Sequence, residues 1–224
     1  MLQPHWGKLA TKMKGAVKVA YWDTETGIRP PAALGEIRGT PTMKVFVPRK
    51  KSRKNKKMSM DYNGPRELKD MKAFAEHHMP NFVEAINGDS AHAKFLEKAE
   101  KHGLPVALLF SKSKATKPMI KAMSSIFRRR LLLGEIRGSA NNKALIQKYG
   151  VTKMPHLMVL GKDDAEPVVF NKKPTFNRLK NFLEDHALKV AIGKKQKEQK
   201  KKRGDAESSG SGGGRKHKGG REEL

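Results

Sequence analysis

Cysteine is absent from all 224 residues. That excludes a disulfide framework, a thiolate zinc centre and any thiol nucleophile within the chain. Aromatic residues are scarce at 6%. None falls inside the two most basic stretches, so base stacking there is unsupported and only sequence-blind phosphate contact remains. No apolar run approaches the roughly 18 residues of a spanning helix, and no membrane span is expected. The opening Met1-Leu2-Gln3-Pro4-His5-Trp6 has neither a charged n-region nor an apolar h-region, so no signal peptide is visible. Acids are also few: 22 Asp+Glu against 48 Lys+Arg, a formal net charge of +26.

The excess charge is uneven. Residues 49–57 (RKKSRKNKK) carry seven basic residues and no acid, and residues 189–224 carry twelve basic and five acidic ones. Both stretches are poor in apolar side chains and cannot offset their ordering entropy by burial. Residues 204–220 are Gly/Ser/Lys-rich and read as a flexible linker. A solvated loop and tail is the plain reading. Electrostatic contact with nucleic acid, a ribosome or an acidic protein is the sharper one.

The length suits one large domain or two of roughly 100 residues. Residues 1–14 read as an amphipathic helix on Leu2, Trp6, Leu9 and Met13. Residues 16–22 (AVKVAYW) are β-rich and predict a strand, as do 42–47 and 58–62. Pro65 predicts a helix start running to about Met79, with Leu68, Met71, Phe74 and Ala75 inward. After Pro80 a second set begins: strand 82–86, a helix capped by Asp89-Ser90 to about His102, and the continuous apolar run PVALLF, expected to be a central buried strand. Helix 118–129, strand 131–137, helix 141–149, strands 156–160 and 167–171 and a last helix from Thr175 follow. The second set thus reads β-α-β-α-β-α-β-β-α over 82–190. The first looks like it with the opening β-α-β removed. The twin Gly-Glu-Ile-Arg-Gly strings at 35–39 and 134–138 fall at different structural places and read as coincidence.

The candidate chemistry is thin. His77 and His78 point to different helix faces and His92 and His102 are off any ligand spacing, so no metal and no cofactor is expected. No Ser sits in a His/Asp pattern, and Gly212 to Gly214 lack a strand-to-helix context for cradling phosphate. Trp6 and Trp22 read as core aromatics, and Asp23 as a turn or cap beside Lys18. Thr40-Pro41 and Met154-Pro155 are candidate cis peptide bonds.

Four segments carry a resemblance. They are Met1-Leu2-Gln3-Pro4-His5-Trp6, then Val17-Lys18-Val19-Ala20 with Asp23, then Ile37-Arg38-Gly39-Thr40-Pro41-Thr42-Met43-Lys44-Val45-Phe46, then Asp61-Tyr62-Asn63-Gly64-Pro65-Arg66. In order and spacing they resemble the segments that follow the Cys-x-x-Cys-Lys site of the thioredoxin-like protein disulfide isomerase family. Tyr149-Gly150-Val151-Thr152-Lys153-Met154-Pro155-His156-Leu157 resembles the same strand entry again. The place of a redox pair in the second set reads Ser111-Lys112-Ser113-Lys114-Ala115-Thr116-Lys117-Pro118, similar to the family's redox-inactive b-type domain.

The resemblance implies an α/β fold of two tandem thioredoxin-like domains and a tail. Residues 1–79 would be a partial active-type domain without its first strand, first helix, central strand and CxxC. Residues 80–190 would be a complete b-type domain, and 191–224 a disordered basic tail. Residues 1–79 are then expected to be marginal alone, with an unpaired sheet edge, and 80–190 to fold independently. The chain would be a shortened form whose Met1 is internal to a longer protein, or the product of a shorter transcript. The terminal Arg221-Glu222-Glu223-Leu224 resembles luminal retention signals, implying the endoplasmic reticulum lumen and a retention-signal receptor as partner. Family activity is thiol–disulfide exchange in protein folding and redox homeostasis. This chain has no Cys and is expected to be redox-inactive, binding at most unfolded or nascent secretory polypeptides through Thr40, Pro41, Met154 and Pro155. The alternative reading is a basic thioredoxin-fold module that binds nucleic acid or ribosomes.

Overall fold

The computed structural model describes residues 2–48, 57–161 and 166–192. The retention-like Arg221 to Leu224, most of the tail and all of the basic loop but Lys57 lie outside the described residues.

In the second half a continuous apolar strand sits at the centre because both its faces are covered. Strand β3 (Glu84–Ile86) leads to helix α3 (Asp89–His102), β4 (Val106–Ser111), α4 (Pro118–Ile126), β5 (Leu132–Arg137), α5 (Lys143–Lys148), β6 (His156–Val159), β7 (Val168–Val169) and α6 (Phe176–His186). They form a five-stranded sheet of order β3-β5-β4-β6-β7. Strand β4 is parallel to β5 and antiparallel to β6. All six β4 residues are buried. Val106, Leu108 and Phe110 face one cluster with Phe95, Ile136 and Leu145. Ala107 and Leu109 face the other, with Met123, Phe127, Leu179 and Leu183. Helices α3 and α5 therefore cover one face and α4 and α6 the other. Gly134 belongs in β5 because an added Cβ would lie 2.6 Å from Ile86 Cδ1 and 2.8 Å from the Phe95 ring. The expected element order of this half is borne out.

The first half has helix α1 (Gln3–Lys12), a short 3-10 helix (Ala32–Leu34), strands β1 (Lys44–Pro48) and β2 (Lys57–Asp61), and helix α2 (Leu68–His78). Strands β1 and β2 form a two-stranded antiparallel sheet. One cluster holds it: Leu9, Met13, Met43, Met71 and Ala75 are buried, with Trp6, Val17 and Val19 partly so. The Tyr62 N–H donates to the Met43 carbonyl at 2.9 Å. Met43–Tyr62 and Val45–Met60 are thus hydrogen-bonded pairs, and Lys44 and Phe46 turn their N–H and C=O groups to the other edge. Among the described residues nothing ladders with that edge.

Four expectations are corrected. Residues 16–22 form no strand: Val17 and Val19 pack inward, but among the described residues nothing ladders with them, and a strand exists only by pairing. Trp22 is 40% exposed and Tyr21 84%, so Trp22 is not a core aromatic, whereas Trp6 packs against the cluster. Pro65 lies outside α2. The Tyr62 hydroxyl donates to its carbonyl at 2.6 Å, fixing a turn that delays the helix to Leu68. The N-cap of α3 is Gly88, with no side-chain cap bond from Asp89 or Ser90.

Candidate functional site

Both candidate loops precede a strand at the sheet end. The peptide bonds Thr40-Pro41 and Met154-Pro155 are cis. Pro41 lies three residues before Lys44, the first residue of β1, and Pro155 directly before His156 of β6. Thr40, Pro41 and Pro155 are exposed and Met154 is half-buried. The loops head strands of different sheets.

Beside Pro41 lies a polar cleft of about 560 Å³, lined by Arg38, Thr42, Asp61, Tyr62 and Arg66 among others. Arg38 pairs with Glu36 at 3.1 Å, and Lys44 with Asp61 at 2.6 Å. Desolvation, with the Asp70 charge adding to it, holds the Tyr62 phenol above its usual range, so it stays protonated. The cleft offers donors from Arg38 and Arg66, and acceptors from Thr42 and Asp61. It can hold a polar or extended backbone, but it carries no nucleophile.

In the second half, the loop in the place of a redox pair is tied down by a carboxylate that sequence reasoning missed. Glu135 is only 2% exposed. It accepts hydrogen bonds from Ser111 Oγ at 2.8 Å and Thr116 Oγ1 at 2.6 Å. The Arg137 guanidinium lies 3.4 Å away. The signal was an acid within the apolar run of β5, where one face or the other had to bury it. Hydroxyl and carboxylate here lack an imidazole between them, so no activated alkoxide results. The group's work is to pin the loop onto the sheet.

Nearby, His92 Nε2 and the Tyr149 hydroxyl lie 2.8 Å apart. Burial, with the Lys148 charge adding to it, pushes the His92 imidazole below its usual value; Asp89 opposes this weakly. Burial raises the Tyr149 phenol. This pair ties α3 to the end of α5. Among the described residues no three His, Cys, Asp or Glu side chains come together as a metal site, and no helix is long and apolar enough to cross a membrane.

No protein-family profile matches the chain. Over 192 residues it is 31% identical to a putative protein disulfide-isomerase of Dictyostelium discoideum, covering 84% of this chain and 44% of that protein. Over 133 residues it is 28% identical to the DnaJ protein ERDJ3A of Oryza sativa subsp. japonica, covering 56% of this chain and 22% of that one. The chain thus spans less than half the length of either relative. Among solved structures, a crystal form of ERdj5 superposes on 82% of this chain and 24% of its own, with a TM-score of 0.56 at 16% identity. That likeness speaks for the fold.

Proposed function

From the premise that the chain belongs to the thioredoxin-like protein disulfide isomerase family, we propose that it serves protein folding in the secretory pathway as a binding module without redox chemistry. The observation that carries this reading is the family's sheet and cis-proline entries in a chain without one cysteine. Thiol–disulfide exchange proceeds by thiolate attack on a disulfide sulfur, and no side chain here supplies the thiolate. What remains is contact with extended, unfolded segments at Thr40-Pro41 and Met154-Pro155.

The terminal Arg221-Glu222-Glu223-Leu224 supports residence in the endoplasmic reticulum lumen through a retention-signal receptor. The division into 1–79, 80–190 and 191–224 is part of the proposal. The two halves do touch: Lys121 Nζ donates to the Glu76 carbonyl at 3.4 Å.

The test is a pair of assays on the whole chain. It should suppress aggregation of a reduced, unfolded secretory polypeptide, and should catalyse neither insulin reduction nor ribonuclease reoxidation. Failure to suppress aggregation, together with salt-dependent RNA binding lost on neutralising both basic runs, would replace this reading with the nucleic-acid one, which the net charge of +26 favours.

A further inference from the structure

Asparagine is followed by glycine at two places in the chain, Asn63-Gly64 and Asn87-Gly88. Each glycine is required by the backbone. An added Cβ at Gly64 would lie 2.8 Å from Cζ and Oη of Tyr62. Gly88 has a φ of 82°, which disfavours any side chain. Each pair also follows a strand. Asn63 comes two residues after Asp61, the end of β2, and Asn87 directly after Ile86, the end of β3. Both asparagines are exposed. In such a pair the glycine nitrogen can attack the asparagine side chain, because no Cβ shields it.

The two pairs differ at that nitrogen. Gly88 is half-buried, and its N–H donates to Asn142 Oδ1 at 2.7 Å. Asn142 is itself 1% exposed and tied by its amide nitrogen to the Ile86 and Arg137 carbonyls, so the acceptor is fixed. Gly64 is exposed, and its N–H has no acceptor among the described residues. The turn around it is held without that nitrogen, by the Tyr62 hydroxyl on the Pro65 carbonyl at 2.6 Å. A nitrogen whose proton is held by a buried acceptor neither gives that proton to water nor turns toward the side chain without breaking the bond.

We propose that Asn63-Gly64 is a site of spontaneous conversion to isoaspartate, and that Asn142 protects Asn87-Gly88 from the same reaction. The Gly64 nitrogen loses its proton to water and attacks Cγ of Asn63. The new N–C bond closes a succinimide ring, the Cγ–Nδ2 bond breaks, and the side-chain nitrogen leaves as ammonia with a proton from water. Water then opens the ring. Attack at Cγ gives aspartate, and attack at the backbone carbonyl gives isoaspartate, whose main chain is longer by a methylene and whose α-carboxylate is free. No further reactant is needed. Either product sets a carboxylate into the polar cleft that Asn63 lines together with Arg38 and Arg66. The conversion needs no client in that cleft, so it stands apart from the folding role.

The test holds the whole chain in mildly alkaline buffer, folded and in urea, and digests samples at intervals. Mass spectrometry reads the loss of each amide. Methyl transfer from labelled S-adenosylmethionine by an isoaspartyl methyltransferase reads the free α-carboxylate. In urea the two asparagines should convert at comparable rates, since glycine follows each. In the folded chain Asn63 should convert roughly tenfold faster than Asn87, the equilibrium weight of one hydrogen bond to a buried acceptor. Hydrogen exchange should be fast at the Gly64 amide and slow at that of Gly88. Asn142→Ala should raise conversion at Asn87 roughly tenfold and leave Asn63 as it was. Asn63→Gln should abolish the methyl label on that peptide alone. Equal folded rates at the two sites, or a Gly64 amide as protected as that of Gly88, overturns the proposal. So does a folded Asn142→Ala chain in which Asn87 converts no faster. Exchange at the two amides of the unaltered chain decides the matter even where that variant fails to fold.

Discussion

Residues 1–79 and 80–188 use the same closing elements to different effect. The second half buries a six-residue central strand between two clusters of eleven buried residues each. The first half gathers five buried residues on one face of a two-stranded sheet. The difference teaches that helix spacing and proline entry organise a thioredoxin-like half locally, while the central strand makes its sheet. Residues 18–22 show this most directly. They match β5 in position and in β-rich composition, yet they take no strand form, because the ladder partner β5 has in β4 is not described beside them.

The largest expected contrast is between two phenylalanines. Phe110→Ala empties a site with no exposure and should lose about 3–5 kcal/mol in chemical denaturation. Phe46→Ala, on half-buried β1, should lose about 1–2 kcal/mol. Equal losses would mean the halves are equally well packed, and the contrast would fall. Next comes Glu135→Ala, which strands two buried hydroxyls and should lose about 2–3 kcal/mol. Proteolysis should then open the loop at 112–117 first, and unchanged protection there would show the loop is held by something else.

A smaller effect concerns pH. The folded chain disfavours the charged His92 imidazole, whereas the unfolded chain takes up its proton near 6.5. Stability should therefore be flat above that value and fall as pH drops through it, until the folded imidazole protonates too. His92→Gln should flatten this dependence in thermal melts from pH 7 to 5, and a slope surviving the substitution would locate it elsewhere. The smallest effect is at Arg129, a non-glycine residue with φ of 63°. Arg129→Gly should stabilise the second half by about 0.5–1 kcal/mol.

Much of this was legible in the sequence because it is local. The run PVALLF declared a strand buried on both faces, and the spacing of Met71 and Ala75 declared the inner stripe of α2. Both cis prolines stood out from their flanking residues. What escaped is long-range. Glu135 is matched to hydroxyls 24 and 19 residues away, and no window around it shows them. The strand at 16–22 was misread because its composition is right and its absent neighbour is a matter of topology. Pro65 misled because a tyrosine three residues earlier captured its carbonyl.

One side chain at the end of the larger sheet has a wider reach. Asn142 is 1% exposed. Its amide nitrogen donates to the Ile86 and Arg137 carbonyls at 3.2 and 2.8 Å, and its oxygen accepts from the Gly88 N–H at 2.7 Å. A single planar group therefore clamps the exits of two parallel strands, β3 and β5, to the start of α5. Fraying of β3 or of β5 at this end thus breaks a bond to the same buried side chain. Releasing either strand leaves part of a buried amide unpaired, which couples the opening of the two exits.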